Sequence, residues 1–161
     1  GVLYPPRLTP TDMPVGTRVI SEQTSMVLRD MMRDVITIGT GKRANVPGYD
    51  VIGKTGSANK PARGGYDDDA LITSFLGAFP YSDPRYALLV MLDEPQGIPE
   101  TQNLTLAGWN AAPTAAEIIA RAAPLLGVRP ALHRPFQAYE KTAAEAGVPP
   151  LALKAEVPHA P

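Results

Sequence analysis

From Ser21 to Gly39 the apolar residues Val27, Leu28, Met31, Met32, Val35 and Ile36 recur at intervals of three and four, which aligns them on one face of an α-helix. Ser21 is placed to cap that helix, and Gly39 and Gly41 to end it. Met13, Met26, Met31 and Met32 read as fillers of an irregular core. The period then changes. Tyr49 to Ser57, Ala70 to Phe79 and Arg85 to Glu94 are rich in aliphatic, β-branched and aromatic residues and are bounded by turn residues, so each predicts a strand. Only Pro80 to Pro84 separate the last two, too short for a parallel crossover, and these strands should form an antiparallel hairpin. Between the first two lies KPARGGYDDDA, whose glycines and charges predict a mobile loop that gates a neighbouring site. Helical spacing returns after about Pro113, with Ala115, Ile118, Ile119, Ala122 and Ala123 in one stripe and Gly127 closing the helix.

The ends have no such periodicity. Residues 1 to 20 are punctuated by Pro5, Pro6, Pro10 and Pro14 and read as an extended segment. From residue 129 to 161 the composition shifts to Ala and Pro, which predicts a tail with one short helix around Phe136 to Ala146. The core-forming part is then residues 1 to 128, one domain or a large piece of one.

Composition removes several chemistries. Hydrophobic residues make up 44% and charged residues 19% of the chain, and the net charge of −1 gives no electrostatic basis for binding nucleic acid. The absence of Cys excludes disulfides, thiolate nucleophiles and Cys-ligated metals. The two histidines, His133 and His159, lie in the Pro-rich tail, a poor place for a catalytic base. Asp67, Asp68 and Asp69 are adjacent acids on a predicted turn and cannot all converge on one cation. No metal or cofactor is expected. No apolar run approaches the ~20 residues of a membrane span, and the first residues lack the regions of a signal peptide.

The candidate chemistry is concentrated in Gly48 to Lys60, GYDVIGKTGSANK, which matches four motifs. GxxxxGKT from Gly48 is the phosphate-loop pattern, and LLVMLDE resembles its Mg²⁺-positioning strand. That chemistry needs a strand before the first glycine, a helix starting at Lys54-Thr55 and a parallel sheet. Here KRANVP precedes the motif, GSANKPARGG follows it, and the sheet is antiparallel, so a P-loop NTPase remains only a remote alternative. SxxK from Ser57 lacks the helical turn that stacks serine on lysine, and one segment cannot supply SxxK, SxN and KTG together. KTG remains, on a strand in which Lys54 and Gly56 share one face and Thr55 and Ser57 the other. Both pairs serve one cleft if the strand lies at a sheet edge, where an extended peptide can add by main-chain hydrogen bonds and Gly56 permits close approach.

With LTPTDMPVGTRVISEQTSMVLRDMM, GTGKRANVPGYDVIGKTGSANK, TSFLGAFPYSDPRYALLVMLDEPQG and GWNAAPTAAEII beside that triplet, the chain resembles the C-terminal part of a class B penicillin-binding protein, most closely the division-specific type, over residues 1 to about 128. The resemblance implies an α+β penicillin-recognising fold, an antiparallel sheet flanked by helices with KTG on the strand lining the active site. It implies catalytic roles for Lys54 and Ser57: Lys54 supplies positive charge and hydrogen bonds to the SxN serine, and the Ser57 N–H is one oxyanion donor. Lys54, Thr55, Gly56 and Ser57 would bind substrate, the Thr55 hydroxyl taking the terminal carboxylate and the Ser57 hydroxyl sharing that task.

The implied activity is serine-type D-Ala-D-Ala transpeptidation in septal peptidoglycan synthesis, with stem peptides and β-lactams as ligands. The implied location is the periplasmic face of the bacterial inner membrane, with an anchor upstream. The chain departs from the family pattern in having neither a nucleophilic SxxK nor an SxN in a suitable setting. It is therefore read as a fragment, inactive alone, whose expected partners are the remaining N-terminal part of the same domain and division proteins. A non-catalytic penicillin-recognising sensor or partner-binding module is the alternative.

Overall fold

The computed structural model describes residues 1–8 and 14–131, without the side chains of residues 68 and 69. The predicted helix around Phe136 to Ala146, the rest of the tail from residue 132 and Met13 lie outside the described residues. The chain divides into two compact units, the boundary falling after Val27. In the first, β1 (Val2–Leu3) pairs antiparallel with β2 (Thr17–Arg18), and otherwise the Pro-rich start forms no helix among the described residues. α1 (Glu22–Thr37) begins where predicted. The Ser21 Oγ accepts the Thr24 N–H at 3.0 Å, satisfying one of the donors a helix start leaves orphaned.

The second unit is built on a three-stranded antiparallel sheet in the order β3 (Ile52–Ala62), β4 (Gly65–Phe79), β5 (Tyr86–Asp93). The β4–β5 hairpin is as expected, with Phe79 opposite Tyr86 and Ile72 opposite Asp93. The first strand starts later than predicted, since Tyr49 and Asp50 belong to the preceding turn, and it runs five residues beyond Ser57. The expected gating loop is instead paired strand: Lys60, Pro61 and Ala62 lie opposite Asp67, Tyr66 and Gly65 beyond a bulge at Asn59/Lys60. Two residues suffice to close it because Gly64 takes φ +90°, a left-handed conformation open to glycine. Pro61 is accommodated in the edge strand, where sheets tolerate it.

α2 (Ala111–Leu125) packs on one face of the sheet. Its buried residues are Ala111, Ala115, Ile119 and Ala123, one per turn, plus Ala112, whereas Ile118, predicted in the same stripe, is 41% exposed. Small side chains on that row let the helix approach a sheet whose core residue is Phe75, fully buried. The ring of Phe75 lies across two facing glycines: a methyl group at Gly53 would stand 2.5 Å from it and one at Gly77 2.6 Å. Tight packing at this level therefore requires glycine at both positions. Gly127, φ +70°, ends α2 as predicted, and the Val128 N–H returns to the Ala123 carbonyl at 3.0 Å.

α1 corrects the sequence reading. Ile36 is buried as expected, but Leu28 is 46% and Met31 42% exposed, and Met26 is not a core filler either. The buried polar residue is Asp30. Helical periodicity locates an apolar stripe without saying what covers it, and here the covered side is one that hydrogen bonds can satisfy. The Tyr81 hydroxyl donates to Asp30. Arg33 Nη1 donates to the Val51 carbonyl at 2.7 Å and to Asn45 Oδ1 at 3.3 Å, with Asp50 3.6 Å from Nη2.

The Tyr81 phenol is pushed up to about 12, first by burial and then by its bond to Asp30. A folded pKa above the ordinary ~10 means that the neutral phenol stabilises the fold at pH below ~10, a contribution lost as pH rises through 10 to 12. Spectrophotometric titration should show one late-ionising tyrosine that is missing from Tyr81→Phe. That variant should also lose about 1–2 kcal/mol at neutral pH, because Asp30 keeps its burial without its donor. A titration curve unchanged by the substitution would refute the assignment.

Candidate active site

The segment that carries KTG is the edge strand of this sheet among the described residues. Which backbone groups it offers follows from the ladder. Glu94 N–H donates to the Leu71 carbonyl at 2.8 Å and Arg85 N–H to the Phe79 carbonyl at 3.2 Å. Odd-numbered residues of β4 thus turn their polar groups toward β5, and even-numbered ones toward β3. Lys54 lies opposite Leu76 and Gly56 opposite Ser74, so their amides are consumed within the sheet. The N–H and C=O groups of Thr55 and Ser57 face the open edge.

The side chains alternate as predicted. On the face away from α2, Lys54 is exposed, and its Nζ bonds the Thr55 carbonyl at 2.7 Å. No carboxylate pairs with Lys54 among the described residues, which leaves an ammonium with unused donors and an uncompensated charge. The same face carries Leu76, Leu89 and Met91, 52%, 56% and 59% exposed, an apolar surface uncovered among the described residues.

On the α2 side, Thr55 Oγ1 is 2.7 Å from Thr40 Oγ1, and Ser57 Oγ accepts the Ala107 N–H at 3.0 Å. Since that N–H can only donate, the Ser57 proton is free to point elsewhere. At Gly56 an added methyl group would stand 2.7 Å from Ser74 Oγ and meet nothing else within 4 Å, so the strand keeps its low profile there only with glycine or a shifted Ser74 side chain. The structure thus brings Lys54, Thr55, Gly56 and Ser57 to one accessible margin, with Lys54-Thr55 inside a strand and not at the start of a helix.

Groups missed by the sequence reading hold this margin in place. Asn110 Oδ1 accepts Ala111 N–H at 2.6 Å, capping α2, and Thr73 Oγ1 at 2.8 Å, while its Nδ2 donates to Thr105 O at 2.8 Å. One side chain thereby joins β4, α2 and the turn that presents Ala107 to Ser57. The Arg43 guanidinium stacks 3.4 Å from the Trp109 ring centre, a cationic cover for that ring. Thr40, between Gly39 and Gly41, was not singled out in the sequence. Its local signal was a hydroxyl between two glycines, with nothing to connect it to Thr55. At the far end of β3, Lys60 Nζ reaches Asp93 at 2.9 Å and Glu94 at 2.7 Å, spanning β4 to tie the two outer strands. These carboxylates raise the Lys60 pKa, and Asp93 and Glu94, expected simply to end a strand, also clamp it.

The penicillin binding protein transpeptidase domain family matches residues 1–120. The chain belongs to that family. Among relatives of this transpeptidase-family chain is the probable peptidoglycan D,D-transpeptidase FtsI of Caulobacter vibrioides, 40% identical over 132 residues, which cover 76% of this chain and 22% of the relative. Stage V sporulation protein D of Bacillus subtilis is 40% identical over 70% of this chain and 17% of its own length. Among solved structures, the apo transpeptidase domain of penicillin-binding protein 3 from Burkholderia pseudomallei superposes with a TM-score of 0.66 at 34% identity, covering 78% of this chain and 37% of that one. Penicillin-binding protein 3 of Mycobacterium tuberculosis, complexed with ampicillin, gives 0.64 at 32% identity over 78% of this chain and 29% of that one. The expected α+β penicillin-recognising fold is thereby established. The chain spans about a fifth of the length of the curated relatives it matches.

Proposed function

We infer that these residues form the substrate-gripping strand of a peptidoglycan D,D-transpeptidase that cross-links stem peptides during septal wall synthesis and is acylated by β-lactams. The observation that carries the reading is the open edge of β3, where Lys54 has no carboxylate partner among the described residues, and the hydroxyls of Thr55 and Ser57 flank their own outward-facing N–H groups. A terminal carboxylate finds cationic and hydroxyl donors there, and the penultimate carbonyl finds the Ser57 N–H, so charge developing on its oxygen is met by a preorganised dipole. An extended peptide completes the sheet as an added strand.

The nucleophilic serine is assigned to the remaining part of the same transpeptidase domain. The exposed Leu76, Leu89 and Met91 on the Lys54 face, with Leu28 and Met31 on α1, support a covering partner of that kind. In the reaction the serine oxygen adds to the D-Ala-D-Ala carbonyl, and the C–N bond breaks as D-alanine leaves with a proton. An amine of a second stem peptide then displaces the serine. No helix among the described residues is long and apolar enough to cross a membrane, and we assign the anchor at the periplasmic face of the inner membrane to residues outside this chain. Division proteins are further proposed partners.

Incubating the complete transpeptidase domain and, separately, this chain with a fluorescent penicillin tests the assignment. The complete domain should form a covalent adduct and release D-alanine from a stem peptide, and this chain alone should do neither. An adduct on this chain would overturn the division of labour. Adduct formation without D-alanine release would point instead to a non-catalytic sensor.

A further inference from the structure

The hydroxyl pair formed by Thr40 and Thr55 holds more than packing. Thr40 follows α1, between Gly39 and Gly41, and its Oγ1 lies 2.7 Å from Thr55 Oγ1. Its backbone runs close against the turn before α2, where a methyl group at Gly108 would stand 2.6 Å from the Thr40 carbonyl oxygen. In the free chain either hydroxyl can be the donor. An incoming carboxylate removes that freedom, because it only accepts: Thr55 must donate to it, and the Thr55 oxygen is then open to a proton from Thr40. The neighbouring hydroxyl has the same arrangement, with the Ala107 N–H donating into Ser57 Oγ at 3.0 Å and leaving the serine proton to point outward.

We propose that Thr40 is a positioning residue that donates to Thr55 Oγ1, aligning and polarising the Thr55 hydroxyl as a donor to the carboxylate of substrate or β-lactam. The proposal rests on the carboxylate-binding role assigned to Thr55 above. Two hydrogen bonds in series reinforce each other, since donation into an oxygen strengthens that oxygen's own O–H as a donor. Thr40 itself touches no reacting atom. Its effect passes through Thr55, which makes it separable from a role in folding.

The test is a double-mutant cycle in the complete transpeptidase domain, with the second-order rate of acylation by benzylpenicillin as the readout and thermal unfolding measured in parallel. Thr40→Val should slow acylation about tenfold in the otherwise natural protein, and Thr40→Ser should restore the rate to within about twofold, since it keeps the donor. In a Thr55→Val background Thr40→Val should have no further effect. Thr40→Ala serves as the second variant should valine disturb the turn. Equal losses in both backgrounds, a loss tracking the melting temperature, or no loss at all would each overturn the proposal. A natural protein that benzylpenicillin does not acylate would overturn the transpeptidase reading itself, which is a different outcome.

Discussion

Phe75→Ala is expected to cost about 3–5 kcal/mol of unfolding free energy, a large part of what holds a domain of this size together. Phe75 is fully buried and is the largest such side chain in the core. Its ring touches both facing glycines, so its removal opens a cavity in the middle of the sheet where the backbone cannot collapse without breaking the β3–β4 ladder. Gly53 is constrained twice over. Gly53→Ala should destabilise the natural protein, and Phe75→Ala should not relieve that loss, because the methyl group would stand 2.5 Å from the ring and also 2.7 Å from the Leu76 carbonyl oxygen. Denaturant unfolding of the four proteins measures both quantities, and a loss under about 1 kcal/mol for Phe75→Ala would refute the packing account.

The second large effect is on chemistry. Lys54→Ala should lower acylation of the complete domain by about a thousandfold, because it removes a positive charge at the open edge that no carboxylate pairs among the described residues. Lys54→Arg should restore little, since a planar guanidinium spreads the charge and does not fit a site built for a compact ammonium. Folding should be nearly untouched, within about 0.5 kcal/mol, since the side chain is exposed and its bond goes to a carbonyl on the free edge. A variant that keeps its acylation rate, or that loses it only by unfolding, would remove Lys54 from the site.

How much of this was legible depends on the range of the interaction. The strands, the hairpin after Phe79 and the caps at Ser21 and Gly127 were readable because neighbouring residues determine them. The placement of Lys54 on one face and Thr55 with Ser57 on the other followed from the strand period alone. The direction of the Thr55 and Ser57 amides did not, because it depends on which β4 carbonyls are spent on β5. The far hairpin was missed since Pro61, Gly64 and the acids after Tyr66 look like a loop until pairing with one another is considered. Asn110, Ala107 and Thr40 act across 37, 50 and 15 residues, beyond the reach of any periodicity. The covered side of α1 was misjudged because an apolar stripe carries no label for its partner. The family fold is established by the match over residues 1–120.

The bulge at Asn59/Lys60 separates two zones of differing tolerance to length change. Between Ile52 and Asn59, adding or deleting a single residue would turn the donor edge inward and exchange the two faces of the strand. Past the bulge the register has already been reset, so the tip can lengthen or shorten without disturbing the phase at Lys54. Related chains should therefore vary in length at this tip while holding the spacing of its base fixed.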